Sequence, residues 1–72
     1  MANQPIVDEI NDKLRYYKPS STSSFQLLPS FGLTILQLTD EDREPVNISD
    51  RMSVKEMKTI LIGIKMGIEV MI

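Results

Sequence analysis

Ser53-Val54-Lys55-Glu56-Met57-Lys58-Thr59-Ile60-Leu61-Ile62-Gly63-Ile64-Lys65-Met66-Gly67-Ile68-Glu69-Val70-Met71-Ile72 is the stretch that decides the fold. It opens on S-x-x-E, the form of a capping box, in which the two side chains satisfy free backbone donors at a helix start. Val54, Met57, Leu61, Ile64, Ile68 and Met71 then recur at intervals of 3, 4, 3, 4 and 3, a continuous apolar stripe of helical period. The spacing predicts a long C-terminal helix over 53–72. Ile60, Ile62, Met66, Val70 and Ile72 lie outside the stripe, and from Thr59 onward only Lys65 and Glu69 interrupt apolar character around the cylinder. A helix apolar nearly all round needs cover nearly all round. In a chain of 72 residues, one further helix and a small sheet cover two of its sides and leave a third for a partner.

Gly63 and Gly67 form G-x-x-x-G, a spacing that lets two helix backbones approach closely when both glycines face the contact. Two readings stay open: a contact between copies, or room for the hairpin of the same chain. The first places a homomeric contact at Ile60, Gly63, Ile64, Gly67, Met71 and Ile72. A membrane span is disfavoured, because Thr59–Ile72 is shorter than the roughly 20 residues a bilayer requires and contains two charges.

Upstream lies a hairpin, 32–49. Leu33-Thr34-Ile35-Leu36-Gln37-Leu38-Thr39 is rich in β-favouring types and nearly alternating, with Leu33, Ile35 and Gln37 on one face and Thr34, Leu36 and Leu38 on the other. The charged turn Asp40-Glu41-Asp42-Arg43-Glu44-Pro45 leads into Val46-Asn47-Ile48, with Pro45 at the start of an edge strand. Residues 19–31 are uncharged and Ser-rich, a flexible linker or an edge strand in which Phe25-Gln26-Leu27-Leu28 is closed by Pro29. Residues 1–18 read as a short helix: Pro5 suits its first turn, Asn3 its cap, and Ile6, Val7, Ile10, Leu14 and Tyr17 form one stripe. Acidic Asp8, Glu9 and Asp12 precede basic Lys13, Arg15 and Lys18, the order a helix dipole favours, and Lys18-Pro19 ends the helix. The fold class expected is α+β: a small single domain, 1–72, with an N-terminal helix, a two- or three-stranded antiparallel sheet and a long C-terminal helix.

Composition narrows the chemistry. The chain is 42% apolar and 25% charged with a formal net charge of −2, ordinary for a globular domain and without the basic surplus of a generic nucleic-acid binder. It contains neither cysteine nor histidine, which removes disulfides, thiol nucleophiles, ordinary zinc sites and imidazole acid–base catalysis together. A domain near 60 residues buries only about 60% of its unfolded surface, and scaffolds of this size usually draw on disulfides, a metal or self-association. With the first two removed, a homo-oligomer, dimer or larger, becomes the expectation. Met1-Ala2-Asn3-Gln4-Pro5 has neither the basic start nor the apolar run of a signal peptide, so a cytoplasmic location is expected.

No G-x-S-x-G elbow, phosphate loop or dinucleotide fingerprint occurs, and nothing positions a base beside the many serines. The reading is a non-enzyme without cofactor or metal. Asp40, Asp42 and Glu44 alternate like the start of an EF-hand loop, but the sixth position is Pro45 instead of Gly and the twelfth is Arg51 instead of Glu. As a solvated turn, Asp40, Glu41, Asp42 and Glu44 either aid solubility or steer a basic partner surface. Arg51, Lys55 and Lys58 are the candidate nucleic-acid contacts, with Tyr16 and Tyr17 beside Arg15 and Lys18 as a second small cluster. A dimer joining two such basic patches is the alternative function. Asn47-Ile48-Ser49 matches a glycosylation sequon and reads as strand and turn.

The pattern Gly32-Leu33-Thr34-Ile35-Leu36-Gln37-Leu38, acidic turn, Pro45-Val46-Asn47-Ile48-Ser49, then Met52-Ser53-Val54-Lys55-Glu56-Met57 and an apolar helix resembles small uncharacterised proteins of bacteriophages and prophages in Gram-positive bacteria. It covers about the second half of the chain and carries over no functional residue. What the resemblance implies is a class of role: a non-enzymatic protein that binds phage or host machinery, such as a regulator or inhibitor of a host protein, in the host cell cytoplasm.

Overall fold

A computed structural model describes residues 2–70; Met71 and Ile72, both in the expected homomeric contact, lie outside the described residues. The order is α1 (Gln4–Tyr17), β1 (Ser24–Ser30), β2 (Leu33–Asp40), β3 (Arg43–Asn47) and α2 (Val54–Val70). The three strands form one antiparallel sheet in sequence order, with both helices on one face, so the α+β class and the two terminal helices read from the sequence are observed. Val7 and Ile10 of α1, Leu27 of β1, Leu36 of β2 and Met57 and Leu61 of α2 make up the buried core. Ile6, Leu14, Phe25, Met52, Ile60, Ile64 and Ile68 pack around it half-buried. Val54, placed in the α2 stripe by spacing, is half exposed, because the stripe meets the core only from Met57 onward. Tyr17 at the end of the α1 stripe is likewise exposed.

The Ser-rich segment resolves in favour of an edge strand, and that strand runs through Pro29 instead of stopping at it. In the β1–β2 register Phe25 lies opposite Leu38, Leu27 opposite Leu36 and Pro29 opposite Thr34. Phe25 turns its backbone groups away from β2: its N–H donates to Asn11 Oδ1 (2.8 Å) and its carbonyl accepts from Asn11 Nδ2 (2.9 Å). Alternation places Pro29 in the same outward class, where a missing N–H breaks no ladder bond. One side chain of α1 and one proline thus close this edge of the sheet to further pairing.

Two turns set the registers. Phe31 and Gly32 join β1 to β2 with φ of +51° and +78°, the twist of a two-residue I′ hairpin. Phenylalanine is unusual there, since the left-handed region costs a residue with a Cβ about 1 kcal/mol and Asn-Gly is the preferred pair. Phe31→Asn should therefore raise stability by about 0.5 kcal/mol after the loss of its contact with Arg51, seen as a higher denaturation midpoint at unchanged slope. A lower midpoint would show that the ring stabilises the tip more than the backbone strains it.

The second hairpin pairs Asp40 with Arg43 and Leu38 with Val46, so Glu44 and Pro45 oppose Thr39 alone in a bulge. Pro45, expected at the strand start, sits inside β3 at that bulge. Beyond Asn47 the chain keeps the third position in the sheet by other means. Ile48 N–H donates to the Leu36 carbonyl (2.9 Å), Ser49 Oγ accepts from Leu36 N–H (2.9 Å), and Met52 exchanges two backbone bonds with Thr34.

Local signals at the helix starts are partly redirected. Ser53 Oγ accepts the Glu56 N–H (3.2 Å), as a capping box requires, and donates to Glu56 Oε1 (2.9 Å), so the reciprocal half closes between side chains. Asn3 occupies the α1 cap position but does not cap with its side chain. Its Nδ2 donates to the Val54 carbonyl (2.9 Å) while its own carbonyl accepts from Ile6 and Val7 N–H, and it is buried between the two helix starts. The acidic residues of α1 fall after its first turn, so the dipole argument applies only to Arg15 at the other end.

Candidate functional site

Three antiparallel strands, an odd number, separate the helices, and α1 and α2 consequently run parallel. Lys13 Nζ meets Glu69 Oε1 at 2.9 Å and Lys65 Nζ meets Glu9 Oε1 at 2.8 Å. The two charges that interrupt α2 are therefore not on its free side; they seal it against α1. The Glu69 carboxyl is held below its ordinary range by the hydrogen bond from Lys13 and by that ammonium's charge, and Lys13 is raised by the same bond.

With α1 against one side and the sheet against another, the third side of α2 faces solvent. Ile62 is 40%, Met66 58% and Val70 83% exposed. Gly63 and Gly67 lie among them, and a Cβ added at either would meet nothing within 4 Å. The reading in which these glycines admit the hairpin against α2 is thereby removed. No charged side chain enters this face after Lys58, because Lys65 and Glu69 turn toward α1.

On one flank the face runs into a groove. The helices leave β3 uncovered, and its residues are all exposed. Between α2 and the β3–α2 connection lies an open depression of about 700 Å³, walled by Leu36, Ile48, Met52, Ile60 and Ile64, with Asn47, Ser49, Asp50 and Arg51 at its polar rim. Ile60 and Ile64 belong to both surfaces. Four of the six residues read as a homomeric contact, Ile60, Gly63, Ile64 and Gly67, are thus adjacent on one accessible surface. Sequence spacing missed Ile62, Met66 and Val70 as members of that face, although their place outside the core stripe was the available signal.

The acidic turn divides. Glu41, Asp42 and Glu44 are exposed, whereas both carboxylate oxygens of Asp40 are used internally, by Thr22 Oγ1 (2.7 Å) and Ser23 Oγ (3.1 Å). Those hydroxyls hold the Asp40 carboxyl below its usual range. Asp40 and Glu69 both contribute stability that is fully present above the ordinary carboxylate pKa and lost as pH falls through their lowered values. The thermal midpoint should therefore stay level from neutral pH down to about pH 5 and fall below about pH 4, with a shallower fall in Asp40→Asn. An equal acid dependence in that variant would exclude Asp40 as a source.

Of the candidate nucleic-acid contacts, Lys55 and Lys58 project from the first turns of α2, and Arg51 sits over the Phe31 ring at 5.3 Å. None of the three has a carboxylate partner among the described residues. Phe31 is 91% exposed at the hairpin tip, with Leu28 and Leu33 exposed beside it on the open face of the sheet. Ile35, half-buried opposite Leu28, belongs to the same face, and beyond it Gln37 accepts from Gln26 (2.7 Å) and donates to Asn47 (2.8 Å), a polar ladder across all three strands. Tyr16 and Tyr17 stack edge to face at 4.9 Å, exposed at the end of α1. Among the described residues no cluster of three or more carboxylates is placed to hold a metal, and no helix is long and apolar enough to cross a membrane.

Comparison with known protein families, curated proteins and solved structures found no match to this chain.

Proposed function

We propose that this chain is a non-enzymatic protein–protein interaction module that works as a homo-oligomer joined through the outer face of α2. The single observation that carries this reading is the charge-free strip of Ile62, Gly63, Met66, Gly67 and Val70 on solvent, in a helix whose only two later charges are spent on α1. A side chain such as Val70 gains roughly 1.5–3 kcal/mol when fully buried, and among the described residues little covers it. The edges of the sheet offer no competing route, since Asn11 and Pro29 blunt one and the Pro45 bulge the other. On this reading a second, heteromeric partner is a host protein, the class implied by the resemblance to small phage proteins, with Glu41, Asp42 and Glu44 free to meet a basic surface.

The test is solution mass across a concentration series, by light scattering coupled to gel filtration. The native protein should run at twice the 8.2 kDa of the chain or more, and Gly67→Lys at the mass of one chain while keeping native circular dichroism. A native protein that stays monomeric at all concentrations would overturn the reading. The nucleic-acid alternative rests on Arg51, Lys55 and Lys58, which have no carboxylate partner among the described residues; it requires binding that falls steeply with salt, and no binding at low salt would end it.

A further inference from the structure

We infer that the second copy docks with its α2 antiparallel to the first, the two helices crossing midway between Gly63 and Gly67; this inference rests on the self-association just proposed. The charges on the face decide the direction. Glu56 lies seven residues before Gly63, two turns along the same side, so a parallel pair would set Glu56 against its own copy and align the two helix dipoles unfavourably. An antiparallel pair centred at residue 65 instead keeps the two Glu56 side chains about 27 Å apart along the helices at 1.5 Å per residue, and lays the charge-free outer faces between Ile60 and Val70 on one another with each dipole opposing the other.

Shape agrees with charge. Gly63 and Gly67 mark the middle of the face, with Ile64 on the groove side and Met66 and Val70 on the other. A two-fold axis perpendicular to both helices keeps each side with its like, which brings Ile64 opposite the partner's Gly67, and Met66 and Val70 around the partner's Gly63. Large side chains then fill the space that the glycines leave, and the backbones approach more closely than the usual 8–10 Å. Because Ile64 also walls the groove, the contact shields part of that depression.

The chain has no cysteine, so a single nitroxide can be placed without other changes. Lys55→Cys puts the label on the exposed first turn of α2, ten residues from the crossing point. In the antiparallel pair the two labels lie about 30 Å apart along the helices at 1.5 Å per residue, whereas in a parallel pair they fall within about 20 Å, the helix spacing plus linkers. Pulsed dipolar spectroscopy on the labelled dimer should give the longer distance. A dimer with the shorter distance would overturn the orientation and leave self-association standing. A labelled protein with native circular dichroism, monomer mass and no dipolar coupling would overturn both.

Discussion

Gly67→Lys is expected to abolish self-association while leaving each subunit at least as stable as before. A lysine at the middle of the α2 face places two like charges against an apolar partner surface, and neither has a carboxylate there to meet. Buried or opposed charges at the centre of an interface cost several kcal/mol, so association should weaken more than about 100-fold. The monomer responds in the opposite sense. Glycine in a helix interior costs about 0.8–1.0 kcal/mol relative to alanine, and lysine is a good helix former that also suits a position near the C-terminal end. A Cβ at Gly67 meets nothing within 4 Å, so no packing is lost in exchange. The combination of lower mass and preserved or improved monomer stability separates an assembly surface from a folding element. A folded variant that retains the native mass would place the contact elsewhere.

Leu61→Ala is expected to remove 2–5 kcal/mol, the usual range for deleting a fully buried leucine together with the cavity it leaves. Leu61 is fully buried in the core shared by α1, β1, β2 and α2. A domain of this length has a total stability on the order of 4–11 kcal/mol at 0.05–0.15 kcal/mol per residue, so the variant should lose about half of its stability and unfold at a much lower denaturant midpoint. Ile62→Ala, one residue on and turned to solvent, should change monomer stability by less than about 0.5 kcal/mol. Both are best measured by denaturant unfolding in the Gly67→Lys background, where mass action from association no longer contributes. A loss below about 1 kcal/mol at Leu61 would show that the core stripe of α2 has been assigned to the wrong side of the helix.

Much of the architecture was legible because short-range rules dominate it. The S-x-x-E start of α2, the helical period that follows, the alternation in β2 and the proline after Lys18 each act within a turn or a few residues of chain. Where the fold departs from those rules, a partner far along the chain is responsible. Asn3 forgoes its own helix end to bond Val54, and Asn11 leaves the α1 surface to occupy the edge of β1. Pro29, read as the end of a strand, is accommodated inside one because β1 lies at the edge. Asp40, grouped with the acidic turn, is claimed by two hydroxyls of the Ser-rich segment brought beside it by the β1–β2 register.

The candidate surface shows the same division. Residue order alone establishes that α2 carries more apolar surface than one core stripe can use, that its later half holds only Lys65 and Glu69 as charges, and that histidine and cysteine are absent. Those are properties of composition and period, and no packing arrangement alters them. Which side of α2 remains on solvent was decided only by the tertiary structure. Three antiparallel strands return the chain so that α1 and α2 run parallel, and that direction alone lets Glu9 meet Lys65 while Lys13 meets Glu69. Burial of Met57 and Leu61 sets the rotation of α2 about its axis, the two exposed ion pairs follow from it at little energetic weight, and Ile62, Gly63, Met66, Gly67 and Val70 turn outward.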